Sequence, residues 1–116
     1  MFITDYSFGS ITIGNKTYHK DIIIIADKVY PGWRRHRGHH LSIDDLTLIT
    51  DNTPETIVIG TGKTGLMQVP RQVIKTLEED GNIVYVKTTG DAVKTYNNLR
   101  QNQSPQRLAA ALHLTC

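Results

Sequence analysis

The chain has 116 residues, 39% of them hydrophobic and 21% charged, and carries a formal net charge of +2. This length fits a single domain, 1–116, and the composition excludes a disordered or fibrous chain. No apolar run exceeds five residues, and Asp5 stands where a signal peptide would be apolar, so neither a membrane span nor a secretory leader is expected.

The first segment, Ile11-Thr12-Ile13, Gly14-Asn15, Lys16-Thr17-Tyr18, alternates apolar and polar residues about a two-residue turn and predicts an amino-terminal β-hairpin. Asp21 then leads into Ile22–Ala26, β-branched and apolar on both faces, as a central strand covered by layers on both sides would be. Pro31 and Gly32 break regularity, and an irregular loop of about ten residues runs to Leu41, long for a compact domain. Ser42 with Asp45 three residues on resembles a capping box, and Ile43, Leu46 and Ile49 at helical spacing predict a short helix closed by Asn52-Thr53-Pro54.

A second buried strand, Thr56-Ile57-Val58-Ile59, ends at Gly60. Pro70 opens a helix with Val73, Ile74 and Leu77 on one face, stopped at Asp80-Gly81. Ile83–Lys87 is the next strand, and Thr89 or Asp91 caps a helix with Val93, Tyr96 and Leu99 along one side. The alternation of strands and helices predicts parallel neighbours joined by crossovers, a small three-layer α/β domain. The segment Leu108–Leu114 is open between a helix, favoured by propensity, and a tight buried strand.

Charge is concentrated in one place. The segment Arg34-Arg35-His36-Arg37-Gly38-His39-His40 holds three of the thirteen cations and three of the five histidines with no acid among them. The other 109 residues carry ten cations against eleven anions, so the positive excess belongs to this loop. A basic loop this short favours an anion or an acidic protein surface, whereas a nucleic-acid footprint would extend over a face. Trp33 beside Arg34 and Arg35 is suited to stack on one guanidinium while the other meets a carboxylate. His36, His39 and His40 lack a nearby carboxylate or thiolate to complete a zinc set, and no metal is expected.

Gly60-Thr61-Gly62-Lys63-Thr64-Gly65 satisfies G-x-G-x-x-G directly after a strand, where backbone amides could receive a phosphate. Leu66–Val69 separate it from the helix, however, and no acid is clearly placed to bind a ribose, so a tight turn is the favoured reading. His113 and Cys116, three residues apart, would lie on opposite faces of a strand, which disfavours a thiol–imidazole pair. His113 reads as a hydrogen-bonded core histidine.

Trp33-Arg34-Arg35 with Gly38-His39 and Leu41-Ser42, then Val58–Gly62, Val69-Pro70 and Ala110–Cys116, in this order, together resemble the Mth-type domain family of unknown function. Its relatives include the adipogenesis-associated Mth-domain-containing protein and a mitochondrial complex I assembly factor. The resemblance covers nearly the whole chain. It implies a mixed, mostly parallel sheet with Leu108–His113 as a last strand antiparallel to the rest. It also gives His39 and His113 family positions, and implies no established enzymatic activity and no cofactor.

The function expected is therefore a binding or assembly module in which Trp33, Arg34 and Arg35 stand beside Gly60–Gly65, facing an acidic partner or a second copy, in the cytoplasm that a single cysteine suits. The alternative is an anionic-metabolite binder or small enzyme with Thr61, Lys63 and Thr64 receiving the anion and Arg34, Arg35 or His39 closing over it. Nucleic-acid contact ranks last.

Overall fold

Alternation of Ile11 and Ile13 with Ser10 and Thr12 makes one face of a ribbon apolar, and in the computed structural model, which describes Met1 to Cys116, that ribbon is the middle of a three-stranded antiparallel sheet. Its strands are β1 (Ile3–Ser7), β2 (Ser10–Ile13) and β3 (Lys16–Tyr18). The β2–β3 hairpin lies where the sequence predicts it, with Gly14 in the left-handed region at φ 61°. β1 has no counterpart in the sequence reading, because its polar residues and a register shift between Ile3 and Asp5 obscure the period of two.

The remaining strands form a five-stranded mixed sheet in the order β5-β4-β8-β6-β7. These are β4 (Ile22–Ile25), β5 (Lys28–Pro31), β6 (Thr56–Thr61), β7 (Ile83–Lys87) and β8 (Leu108–His113). A 3-10 turn, Ile43–Leu46, leads into α1 (Thr47–Asp51), and α2 (Arg71–Glu79) and α3 (Thr89–Asn102) follow β6 and β7. The expected first helix is thus half 3-10, although its capping group is present: the Asp45 carboxylate accepts from the Ser42 N–H and hydroxyl, both at 2.9 Å.

Two topological expectations are corrected. The last strand, β8, runs parallel to β6, and the reversed strand is β4, antiparallel to both β8 and β5. Nor is β4 central: β8 takes that position, so only β6-α2-β7 joins parallel neighbours directly. β4 is reversed because it forms a hairpin with β5 across Ala26 and Asp27, both at positive φ (52° and 62°). Asp27 tolerates that conformation, but Ala26 gives no turn signal. Asp27 is instead held from outside by Arg100 of α3, through bonds of 2.9 and 2.7 Å. Hydrogen bonds from Arg100 hold the Asp27 carboxyl below its ordinary range.

The three layers follow from strands that are apolar on both faces. Ile23, Ile25, Ile57, Ile59, Ala109 and Ala111 point to one side, where Leu46, Ile49, Val73 and Leu77 cover them. Ile22, Ile24, Val58, Ala110 and Leu112 point to the other, beneath Ala92 and Tyr96 of α3 and Ile11 and Ile13 of the small sheet. Ala109, Ala110 and Ala111 are fully buried in the central strand, where tertiary packing overrides their helix propensity. Small side chains are needed there because layers press on both faces. Ala110→Leu is accordingly expected to lower stability by about 1–3 kcal/mol through overpacking, read as a reduced urea midpoint with unchanged slope.

Candidate functional site

β4 runs against the other four strands of the large sheet, so its amino end lies at the edge where β6, β7 and β8 finish. Asp21 precedes β4, His113 ends β8, Thr61 ends β6, and the Trp33–His40 loop leaves β5 at the same edge. In sheets of this kind, that edge is where loops meet and ligands are received.

Asp21 joins these pieces. One carboxylate oxygen accepts from Arg35 Nη2 at 2.9 Å and from His113 Nδ1 at 2.7 Å, while the other accepts from the Leu114 N–H at 2.7 Å. Its own carbonyl accepts from the Gly32 and Trp33 amides, both at 2.9 Å. Since a carboxylate offers no proton, Nδ1 of His113 carries the one it donates. Arg35 Nη2, 3.1 Å from that nitrogen, is therefore a packing neighbour and not a second donor to it.

The Arg35 side chain is only 6% exposed. Its Nε donates to the Gly38 carbonyl at 2.9 Å, closing the loop on itself, and its guanidinium lies 4.7 Å from the Trp33 ring centroid. Nη1 is buried without a hydrogen-bond partner, so the aromatic face is part of what compensates this charge. Trp33 in turn donates from Nε1 to the Asp45 carbonyl at 2.9 Å, fixing the loop to the turn before α1. Burial alone would push the Asp21 carboxyl up, but hydrogen bonds from His113, the Leu114 N–H and Arg35 outweigh it and hold the group below its ordinary range.

The glycine bend lies across the carboxyl-terminal segment from this junction. Gly62, at φ 109°, leaves no room for a side chain, since a Cβ there would approach the Cys116 main chain within 2.5 Å. The Lys63 amide donates to the Thr115 carbonyl at 2.6 Å and the Leu66 amide to a Cys116 main-chain oxygen at 2.8 Å. Gly62 N–H donates to Thr89 Oγ1 at 2.8 Å, and that hydroxyl donates to the His113 carbonyl at 2.5 Å. Gly65 N–H turns back to the Gly62 carbonyl at 3.2 Å. The amides of the bend are thus largely committed within the chain.

Of the residues singled out from the sequence, Trp33, Arg35, His39 and His113 come together. His39 packs edge-on to His113, with ring centroids 5.7 Å apart, and its Nε2 lies 3.7 Å from Cys116 Sγ. The thiol thus neighbours His39 and not His113. Gly60 and Thr61, expected in the loop, are the last two residues of β6, paired with Leu112 and His113 of β8, and only Gly62 to Gly65 form the adjoining bend; Thr61 donates to the Lys87 carbonyl at 3.1 Å. Lys63 and Thr64 are exposed; the Lys63 ammonium lies 5.6 Å from the Tyr6 ring centroid. Arg34 separates from its neighbour Arg35, being exposed and without an ion pair, as is Arg37. No group of three or more His, Cys, Asp and Glu is arranged to hold a metal ion.

Two residues of the junction escape the sequence reading. Asp21 carries one usable signal, an acid directly preceding an entirely apolar strand, but its partners Arg35 and His113 lie 14 and 92 residues away. Thr89 is anticipated only as a helix cap, whereas its hydroxyl links β6 to β8.

A family model described as a protein of unknown function (DUF498/DUF598) matches residues 3–113. Among solved structures, the conserved hypothetical protein PH1505 from Pyrococcus horikoshii OT3 is 24% identical, with 100% of both chains covered and a TM-score of 0.82. The protein MT938 is 27% identical, with 99% of this chain and 98% of that one covered and a TM-score of 0.82. A Mth938-like domain protein from Bordetella pertussis shares the fold at 18% identity and a TM-score of 0.68, with 97% and 85% covered.

Asp21→Asn removes the charge that offsets a buried guanidinium and is expected to cost about 3–5 kcal/mol at neutral pH, measured by urea unfolding. Because the folded carboxyl sits below its unfolded value, its contribution is complete above about pH 3.9 and is lost as pH falls through the depressed folded value. The variant therefore has a shallower loss of stability with acid, Asp27 retaining its own share.

Proposed function

The chain belongs to the DUF498/DUF598 family, as a Mth938-like domain of unknown function, and from that premise we propose that it is a non-enzymatic binding or assembly module that docks an acidic protein surface through the Trp33–His40 loop. The observation that carries this reading is the division of labour between adjacent arginines. Arg35 is spent inside, on Asp21 and Gly38, and makes the loop rigid. Arg34 and Arg37 are left exposed without ion pairs on a loop whose shape is already fixed. A preformed loop loses little entropy on association, so the charge is available for recognition.

The surface beside Arg34 suits such a partner. Arg34 borders a shallow cleft lined by Tyr30, Pro31, Trp33, Thr47 and Leu48. Asp45 also reaches the cleft, but its carboxylate is committed to Ser42. A carboxylate adjacent to an apolar side chain is the chemistry that fits a free guanidinium next to an apolar floor. The alternative, an anion held by Gly60–Gly65, is weakened by the commitment of the Gly62, Lys63 and Gly65 amides within the chain. A cytoplasmic setting belongs to the same proposal; no helix is long and apolar enough to cross a membrane.

Crosslinking in the source cell followed by binding of the purified chain to the captured protein tests this. Arg34→Glu with Arg37→Glu is expected to weaken binding at least about tenfold and to flatten its salt dependence while leaving the fold intact. A partner whose affinity is indifferent to both reversals and to salt contradicts the proposal.

A further inference from the structure

Sheet edges expose unpaired amides and carbonyls, and natural domains blunt them with bulges, prolines, charges or brevity. Three of the four edges here are treated in that way. β1 carries a register irregularity between Ile3 and Asp5, β3 has only three residues and begins at Lys16, and β5 begins at Lys28 and ends at Pro31. The fourth, β7, has none of this along its length. It runs Ile83-Val84-Tyr85-Val86-Lys87 in unbroken register with β6, has no strand beyond it, and its one charge is at its end. The main-chain groups of Val84, Tyr85 and Val86 have no bonds outside that ladder. Ile83 and Val86 are 49% and 36% exposed, although α2 and α3 cover the two faces of the sheet nearby.

Charge along this edge is polarised. The end of α2 and the turn into β7 supply Glu78, Glu79 and Asp80 at the strand's amino end. At its carboxyl end stand Lys87, then Lys94 together with Asp91 in α3, with Arg71 opening α2. An edge that is acidic at one end and basic at the other complements itself when a second copy is turned end for end. Parallel pairing would instead place like charges together.

We infer that β7 is the edge through which two copies of this chain associate, antiparallel about a two-fold axis with Tyr85 opposite Tyr85 of the second copy. This register sets Val84 across from Val86 and Ile83 across from Lys87, and joins the two five-stranded sheets into one of ten. It uses neither Arg34 nor the cleft beside it, so it stands independently of the docking reading.

Sedimentation equilibrium tests it. The wild-type chain is expected to approach twice 13.0 kDa as concentration rises through the micromolar range. Ile83→Lys sets one new ammonium group against Lys87 in each half of the pair and is expected to weaken association about tenfold or more, whereas Ile83→Glu retains or strengthens it. Within one copy the order of effect is the opposite, since the acids close by in sequence, Glu78, Glu79 and Asp80, favour the lysine. A wild type still monomeric at about 1 mM overturns the inference, as do two variants that behave alike. Amide exchange provides a reading that needs no substitution: the 83–87 amides are expected to slow on concentration, and rates equal in dilute and concentrated solution overturn it.

Discussion

One carboxylate at the start of a buried strand organises the edge of the large sheet where β6, β7 and β8 finish. Asp21 satisfies a guanidinium, an imidazole and a main-chain amide at once, and through them it binds the arginine-rich loop, the end of β8 and the residue after it. Arg35 is almost fully buried, and a guanidinium in that position is tolerable only with a paired carboxylate, so the shape of the loop depends on Asp21. The same pairing explains why two adjacent arginines with the same chemistry have different fates.

A second set of bonds extends the junction to the glycine bend. The segment Leu114–Cys116 runs between the two loops, receiving the Lys63 and Leu66 amides on one side while the Leu114 amide is held by Asp21 on the other. Gly60 and Gly62 are glycines because backbone and a threonine hydroxyl occupy the space a side chain would need. A phosphate loop uses the same residue pattern to approach a ligand; here the chain itself is what is approached. The arginine loop, the bend and the closing segment thus form one continuous surface at the carboxyl ends of β6 and β8.

Much of the architecture was legible in local pattern. The apolar runs Ile22–Ile25 and Thr56–Ile59 announced strands buried on both faces, and the stop at Asp80-Gly81 marked the end of α2. What pattern missed was decided at a distance. β5 stayed hidden because its turn uses Ala26 and Asp27, a conformation stabilised by Arg100 seventy-three residues further on. The crossover through α3 makes β8 parallel to β6, while the reversal of β4 is set by its hairpin with β5, which no periodicity encodes. Asp21 looked like a strand boundary because its chemistry lies in residues brought to it only by folding. Family resemblance, and not propensity, identified Leu108–His113 as a strand, and burial between two covered faces is the physical reason.

Asp21 holds the Trp33–His40 loop in shape. Amide hydrogen exchange on Asp21→Asn, under conditions where the sheet remains folded, tests this most directly. Trp33, His40 and Gln68 each donate an amide proton to a main-chain carbonyl in or beside the loop. Loss of protection at these three amides, with β6 and β8 still protected, is the predicted result. Protection at all three equal to that of the wild type would contradict it and leave the loop to be held by Trp33 and Ser42–Asp45 alone.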